Sequence, residues 1–243
     1  MCGRFVLDRG SAELVDLFDV DTLGDGIPEP SWNIAPTQSV SIVLDSLPRP
    51  TEAEPFPQPV RRLEAARWGL VPAAATDPKA GAPLFNARSE EIETRASFGA
   101  ALKSRRAIVP ASGYYEWRVV EGTRVPYFVS LPGNELMLFA GLFEWWRNPA
   151  VAPEAPGRWL LSTTILTRAA IGPLAAIHDR MPVFLDADLV EEWLDPQDEA
   201  GQELVDEIVA RAADVAERAQ FHEVSAAVGS VANNGKQLIE PVA

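Results

Sequence analysis

The sequence predicts an α+β fold in a single domain spanning residues 1–243, with short helices around a curved, barrel-like β-sheet of mixed or antiparallel strands. Short strand-like segments are interleaved with few helical patterns. Hydrophobic residues make up 47% of the chain, which is ample for a core. No internal repeat is present, and neither the loop at 48–59 nor the segment 148–157 separates two self-contained halves.

The strands are predicted from short apolar or alternating runs between turn-forming residues. Glu121 and Gly122 form a turn signal, so the segments on either side are predicted to pair as a hairpin. The predicted strands are 40–44, 67–71, 107–109, 114–120, 127–131, 136–143, 159–166 and 181–185.

The helices are predicted from apolar residues at helical spacing that follow candidate capping residues. The predicted helices are 11–18, a segment ending at about 103, a segment around 189–194, and the acidic, amphipathic segment 199–218. The predicted caps of the first two are Ser11 and either Thr94 or Ser97, and Asp186 precedes the third.

Bulk composition argues against several classes of protein. No apolar run approaches 18 residues, so no membrane-spanning helix is expected, and the N-terminus lacks the apolar stretch of a signal peptide. A single cysteine allows no internal disulfide, which fits a reducing cytoplasm. One cysteine and two histidines argue against a structural zinc site. We therefore expect a cytoplasmic protein with no cofactor.

The net charge of −14 is unevenly distributed. Residues 186–223 contain thirteen acidic residues against two arginines, whereas residues 61–118 contain ten Lys and Arg against six acidic residues. A local basic surface can therefore coexist with an acidic total, and nucleic acid stays a candidate partner. For any single arginine, an ordinary surface charge is the alternative.

Cys2 is the only cysteine, and it follows the initiator methionine. Methionine removal is favoured before a small side chain, so the mature chain is expected to begin at Cys2. Its α-amine, with a pKa of about 7.7–8, and its thiol would then be neighbouring nucleophiles. Such a pair captures an aldehyde, because the amine forms an imine and the sulfur then closes a five-membered thiazolidine. The alternative is an inert cysteine in a frayed terminus.

Four short segments combine charge with turn formers in apolar surroundings: 2–4, 85–90, 113–117 and 177–182. Taken singly, each is compatible with a structural role. A glutamate in a strand pattern usually faces solvent, and a lone histidine is usually a surface or core residue.

Together these segments resemble the SOS-response-associated peptidase (SRAP) family, whose members process abasic sites in single-stranded DNA. The resemblance extends over residues 1–242 and depends on the order of motifs that are weak individually. The motifs are CGRF at 2–5, WNIAPT at 32–37, RWGLVP at 67–72, NAR at 86–88, GYYEW at 113–117, AGL at 140–142, TT at 163–164, HDRMP at 178–182, VS at 224–225, and NNG at 233–235 with LI at 238–239.

The resemblance implies a covalent reaction with the open-chain aldehyde of an abasic deoxyribose. Cys2 matches the cysteine with which family members trap that aldehyde as a thiazolidine. Glu116 and His178 match the residues to which the family assigns proton transfers, and both types of side chain can perform them. Asn86 matches a residue that orients the active-site end of the chain. The implied activity is abasic-site processing of a crosslinking or lyase type.

The resemblance also implies a groove for single-stranded DNA. Guanidinium groups suit phosphates, and aromatic rings stack on bases. The predicted DNA-binding residues are Arg4, Arg88, Arg180, Trp68 and Trp117. Family members often carry an aromatic residue after the Trp-Gly-x-x-Pro segment, where this chain has alanines at 73–75. Stacking is therefore expected to be weak there or to come from another ring, such as Phe85 or the two tryptophans, for which a core position is the alternative.

Three functions are open from the sequence. The first is an abasic-site sensor that crosslinks to single-stranded DNA through Cys2, shields the lesion and reverses slowly. The second is a cysteine peptidase or self-processing hydrolase with Cys2 as N-terminal nucleophile. The third is a non-covalent single-stranded DNA-binding module. The resemblance favours the first. We expect a monomer with neither a membrane nor a metal as partner, and we expect it to be associated with the nucleoid when it binds abasic DNA.

Overall fold

The computed structural model describes residues 2–52, 54–79 and 81–242. Within these residues the chain forms thirteen strands and four α-helices. The strands are β1 (Phe5–Leu7), β2 (Thr22–Leu23), β3 (Ser31–Ile34), β4 (Ser39–Ser46), β5 (Val60–Trp68), β6 (Asn86–Arg88), β7 (Arg106–Ala111), β8 (Gly113–Val120), β9 (Thr123–Ser130), β10 (Met137–Arg147), β11 (Trp159–Ala169), β12 (Arg180–Pro182) and β13 (Gln220–Glu223). The helices are α1 (Ser11–Leu17), α2 (Gly99–Ser104), α3 (Val190–Leu194) and α4 (Gln202–Arg218). Short 3-10 turns lie at Ile92–Thr94, Pro132–Asn134, Gly172–Ala176, Ala187–Leu189, Ala226–Gly229 and Lys236–Ile239.

Five strands close into a barrel. Their order is β5-β4-β7-β10-β11 with antiparallel neighbours, and β11 returns to β5 in a parallel pairing of Ser162 with Arg67 and Thr163 with Trp68. Strands β12 and β6 extend the sheet from β11, and β2 extends it from β5. The predicted curved, barrel-like mixed sheet is confirmed.

A second, five-stranded antiparallel sheet, in the order β13-β9-β8-β1-β3, packs against the barrel. Aromatic rings connect the two layers. The Phe5 and Trp68 ring centres are 5.0 Å apart, and those of Tyr114 and Phe139 are 6.0 Å apart, both in edge-to-face geometry. All four side chains belong to one hydrophobic core, which dominates the stability of such a layer packing. β1, and with it the N-terminal end of the chain, is thereby fixed on the barrel.

The four predicted helices are present, with somewhat different bounds. The two predicted caps are wrong: Gly10 and Phe98 occupy the N-cap positions of α1 and α2, without a side-chain hydrogen bond. A cap that was not predicted is Asp186, whose side chain accepts a hydrogen bond from the N–H of Asp188 in the 3-10 turn that leads into α3. No helix in the described part of the chain is long and apolar enough to cross a membrane.

Each of the eight predicted strands overlaps an observed one. The largest difference is at β5, which runs from Val60 to Trp68. It ends there because the next residue, Gly69, has a φ of +130°, which lies outside the extended backbone conformation of a strand. Strands β1, β2, β3, β6 and β13 were not predicted from the sequence. Each has at most four residues, and such short strands exist because of pairing with distant parts of the chain.

Candidate active site

The N-terminal segment, residues 2–4, is held between two strands. On one side, the Nδ2 group of Asn86 in β6 donates a hydrogen bond of 2.7 Å to the carbonyl oxygen of Cys2. On the other side, the N–H of Tyr115 in β8 donates to the carbonyl oxygen of Arg4 at 2.9 Å. β1 then continues alongside β8. The backbone at Cys2 is therefore fixed between β6 and β8.

The Cys2 side chain is fully buried. It lies near the Tyr114 hydroxyl and Glu116 carboxyl groups, and these three groups form an acidic cluster. Burial raises the pKa of its thiol well above the ordinary value, and the negative charge of Glu116 raises it further. The pKa of the Tyr114 hydroxyl is also raised, first by burial and then by the nearby Cys2 and Glu116 groups. The Cys2 thiol is therefore neutral at physiological pH.

A cleft of about 430 Å³ opens beside this cluster. Its walls come from the N-terminal segment, the β8–β9 hairpin, the loop before β12 and the 3-10 turn at Ala226–Gly229. The lining residues are Gly3, Arg4, Glu116, Trp117, Arg124, Pro126, His178, Ala226 and Gly229. The cleft thus brings together four residues predicted from the sequence: Arg4, Glu116, Trp117 and His178.

Glu116 and His178 reach the cleft from different elements. Glu116, in β8, is only 4% exposed, and its Oε2 accepts a hydrogen bond of 3.3 Å from the N–H of Trp117. The Nδ1 atom of His178 lies 2.9 Å from the backbone nitrogen of Arg180 and 2.8 Å from Oδ1 of Asp179. A neutral Nδ1 accepts from the Arg180 N–H, whereas a protonated Nδ1 donates to the Asp179 carboxylate. Nδ1 of His178 therefore has a partner whether or not it carries a proton.

The Arg4 side chain connects the N-terminal segment to the C-terminal part of the chain. Its Nη1 group donates hydrogen bonds to Oδ1 of Asn33 and to the carbonyl oxygen of Val228, both at 2.8 Å. Burial lowers the pKa of this guanidinium, which also donates to the carbonyl oxygen of Gly229. Much of the donor capacity of Arg4 is thus used within the protein.

Arg180 and Arg88, the other two predicted DNA-binding arginines, differ in their surroundings. Arg180 forms a bidentate ion pair with Glu90, with N–O distances of 2.6 and 2.9 Å, and donates to the carbonyl oxygen of Thr167 at 2.6 Å. Its side chain is only 13% exposed. Arg88 is exposed, and within the described residues it forms no ion pair. Arg88 is therefore available to an anion, whereas Arg180 already holds one.

The two tryptophans predicted to bind DNA also differ. The Trp68 side chain is fully buried against Phe5 and Phe85, and its Nε1 donates to the carbonyl oxygen of Phe85 at 2.9 Å. This position does not support the stacking role predicted for Trp68, because no face of the ring is open to a base. Trp117 is half-buried and lines the cleft.

Arg124 lines the cleft but was not among the residues singled out from the sequence. It lies in β9 opposite Val119, diagonally across the hairpin from Trp117. The Arg124 Cζ atom is 6.0 Å from the centre of the Trp117 ring, and the Arg4 Cζ atom is 5.9 Å from it. The predicted turn at 121–122 was the available signal, because it fixes the register that makes Trp117 and Arg124 diagonal neighbours.

No group of three or more His, Cys, Asp and Glu side chains among the described residues is placed to hold a metal ion. The cleft instead combines a carboxylate, an imidazole and two guanidinium groups beside a cysteine. This set of groups can transfer protons, bind anions and attack an electrophile.

Comparison with known proteins gives consistent matches over the whole chain. The family model for SOS response associated peptidase (SRAP) matches residues 1–231. The chain is 34% identical over 242 residues to the abasic site processing protein YoqW of Bacillus subtilis, covering 99% of both chains. It is 30% identical over 275 residues to the abasic site processing protein HMCES of Gallus gallus, covering all of this chain and 78% of that protein. A solved structure from Bacteroides thetaiotaomicron shares the fold, with a TM-score of 0.76 at 16% identity over the full length of both chains.

Proposed function

Because the chain belongs to the SOS response associated peptidase family, we propose that it processes abasic sites in DNA, the activity in the names of its relatives. In the specific form of this proposal, the protein is an abasic-site sensor that binds single-stranded DNA. It captures the lesion covalently through Cys2 as a thiazolidine, and the crosslink shields the lesion from strand cleavage.

The observation that carries this proposal is the placement of Cys2. Its carbonyl group is fixed by Asn86, and its side chain lies in the acidic cluster with Glu116. Glu116 and His178 both line the adjacent cleft. A cysteine in a frayed terminus would have neither a fixed backbone nor a fully buried side chain.

The proposed crosslinking reaction requires only the amine and thiol of Cys2 and the aldehyde of the opened sugar, and no cofactor. Removal of Met1 makes the nitrogen of Cys2 a primary amine, which adds to the aldehyde carbon of the opened sugar. Loss of one water molecule gives an imine. The sulfur then adds to the imine carbon, the thiol proton passes to the nitrogen, and the five-membered ring closes. Water is the only product released.

This sequence of steps requires proton transfers, and two residues of the cleft can perform them. Opening of the sugar ring moves a proton from the anomeric hydroxyl group to the ring oxygen, and loss of water requires protonation of the departing hydroxyl group. We assign ring opening to His178, whose Nδ1 has a partner in either protonation state. We assign the steps at Cys2 to Glu116, whose charge acts directly on the thiol. Reversal would use the same groups in the opposite order.

A denaturing gel with single-stranded DNA that contains one abasic site tests the proposal. The expected result is a stable adduct, confirmed by intact mass, that is lost in Cys2→Ala and weaker or more labile in Cys2→Ser. A variant with a non-removable residue before Cys2 should also form none. Normal crosslinking by that extended variant would contradict the thiazolidine mechanism, because no primary amine would be present at Cys2.

The same samples separate the alternative functions. Turnover of peptide substrates that depends on Cys2, without an adduct on DNA, would indicate a peptidase. A shift in a native gel without an adduct in the denaturing gel would indicate non-covalent binding only.

A further inference from the structure

Arg124 lines the cleft and has no role in the proposed reaction. The residue is exposed and lies in β9, with its guanidinium group near the Trp117 ring. It lines the same cleft as Glu116 and His178. No ion pair of Arg124 occurs within the described residues. A guanidinium in that position can accept a phosphate without first releasing a carboxylate.

The other arginines near the cleft are already engaged. Arg4 donates to Asn33 and to backbone carbonyl groups, and Arg180 is paired with Glu90. Arg88 in β6 and Arg124 in β9 are exposed and form no ion pair within the described residues.

Arg88 and Arg124 lie on opposite sides of the N-terminal segment. Asn86 of β6 bonds to the carbonyl oxygen of Cys2, and Arg88 follows two residues later on the same strand. On the other side, β8 bonds to the segment through Tyr115, and β9 with Arg124 is the next strand beyond β8. The spatial order β6, N-terminal segment, β8, β9 therefore places Cys2 between the strands that carry the two arginines.

We propose that Arg124, supported by Trp117, binds a phosphate of the DNA backbone on the side of the abasic sugar opposite to the side held by Arg88. This inference rests on the proposed function and adds to it the path of the DNA strand. Phosphates on both sides of the lesion would fix the sugar over Cys2, which is the positioning that a slow condensation requires.

The position of Arg124 is supported by contacts with Trp117 and, through Trp117, with Arg4. Arg4 is fixed by its hydrogen bonds to Asn33 and Val228. Trp117 contacts the Arg4 guanidinium, and Arg124 in turn contacts Trp117. In this arrangement Trp117 orients an arginine instead of stacking on a base. The cleft has room for a ligand at Gly229, because an added Cβ there would meet nothing within 4 Å.

The first experiment measures non-covalent binding as a function of salt. The probe is a single-stranded oligonucleotide with a tetrahydrofuran in place of the abasic deoxyribose, which has no aldehyde and cannot react with Cys2. For single strands the logarithm of affinity falls with the logarithm of salt concentration by about 0.7 per phosphate contact. Arg124→Gln should flatten the slope by about 0.7 and weaken binding about five- to tenfold at low salt.

Two further variants control for charge and for the shape of the group. Arg147→Gln removes one exposed arginine at the end of β10, outside the cleft, and should bind like wild type. Arg124→Lys keeps the charge but loses the planar fork, so it should restore the salt slope while affinity stays below wild type. An unchanged slope and affinity in Arg124→Gln would overturn the inference.

The second experiment tests on which side of the lesion Arg88 and Arg124 each bind a phosphate. The probe is truncated immediately before or immediately after the tetrahydrofuran. The effect of Arg124→Gln should disappear with one truncation and that of Arg88→Gln with the other. Loss of both effects with the same truncation would show that the two arginines hold the same side, which contradicts the proposed path.

Failure of this inference is distinguishable from failure of the proposed function. If wild-type protein forms no adduct with abasic DNA, the proposed function fails. If wild type crosslinks and Arg124→Gln matches it in salt slope and truncation pattern, only the role of Arg124 fails. Capture of a small uncharged aldehyde at the wild-type rate by Arg124→Gln would show that the chemistry of Cys2 is intact in the variant.

Discussion

Asn86 fixes the backbone of Cys2, because its Nδ2 group donates a hydrogen bond of 2.7 Å to the Cys2 carbonyl oxygen. Asn86 lies in β6, which pairs with the barrel strand β11 opposite Ile165. The fully buried Ile165 is part of the core. The hydrogen bond therefore connects the N-terminal segment to a strand that is paired with the buried core of the barrel.

Asn86→Ala should slow adduct formation without unfolding the protein. A hydrogen bond of this kind contributes about 0.5–1.5 kcal/mol, which corresponds to a loss of roughly two- to twelvefold in rate. Asn86→Asp should slow the reaction more, because its carboxylate would face the carbonyl oxygen of Cys2. A quenched time course on abasic single-stranded DNA gives the rates, and thermal unfolding checks the fold. Equal rates in Asn86→Ala and wild type would argue against orientation through this bond.

The site was predictable where it depends on local patterns. The hairpin around 121–122 predicts that Glu116 lies on a strand, and the family resemblance singles out Cys2, Glu116 and His178 as candidate site residues. The structure places Glu116 and His178 in one cleft beside Cys2. Their convergence itself depends on β1 pairing with β8, and β1 has three residues that carry no strong strand signal alone.

The partners of the arginines were not predictable, because they are set by distant contacts. Arg4 binds the carbonyl group of Val228, 224 residues away. Arg180 binds Glu90, 90 residues away. Sequence patterns indicate that a guanidinium can bind phosphate, but they do not show that another group already occupies it. Burial of Trp68 has the same origin, since it follows from closure of the barrel between β5 and β11.

The Cys2 thiol should resist alkylation at neutral pH, and Glu116→Gln should increase its reactivity. Burial and the Glu116 charge both raise the thiol pKa, and the thiolate is the reactive form. Removal of the charge lowers that pKa, so the thiolate fraction at a given pH rises and the rate profile moves to lower pH. Intact mass after iodoacetamide treatment between about pH 6 and pH 10 measures this.

Glu144→Gln is the matched control for this experiment. Glu144 is also a largely buried strand glutamate, but it pairs with Arg105 and does not line the cleft. Its replacement should leave alkylation of Cys2 unchanged. Rapid alkylation of folded wild type at neutral pH would contradict the neutral, buried thiol.

Glu116→Gln and His178→Ala should change the rates of adduct formation or reversal while non-covalent DNA affinity stays near wild type. General acid–base groups contribute about 10²–10⁴-fold. A substrate whose aldehyde is permanently open separates the two roles, because it removes the ring-opening step. His178→Ala should regain much of its rate on that substrate, whereas Glu116→Gln should not. Parallel loss of thermal stability and DNA binding would instead indicate a structural pair.

Arg106 should be essential to stability although it is far from the chemistry. The side chain is 1% exposed and donates hydrogen bonds to the carbonyl groups of Trp193, Leu102 and Lys103, which connects β7 to α2 and α3. Arg106→Leu would remove the side-chain donor from the Trp193 and Leu102 carbonyl groups, at about 1–3 kcal/mol for each one that stays buried and unpaired. Thermal unfolding should shift down by at least about 5 °C. Arg105→Leu, at a half-buried position, should shift it less.

Glu90 should compete with DNA for Arg180. The bidentate pair gives Glu90 a lowered pKa through its hydrogen bonds to Arg180, so at neutral pH the carboxylate is charged and occupies the position a phosphate would take. Glu90→Gln should therefore strengthen binding to the tetrahydrofuran oligonucleotide and steepen its salt dependence, whereas Arg180→Ala should weaken binding. Glu90→Gln combined with Arg180→Ala should behave like Arg180→Ala alone, because Glu90 competes with DNA only while Arg180 is present.

Glu135→Gln, which breaks the exposed pair with Arg218, removes the same charge elsewhere and should have little effect. If Glu90→Gln and Arg180→Ala both lower the unfolding temperature and neither changes the salt slope, the pair is structural and the DNA backbone does not reach Arg180.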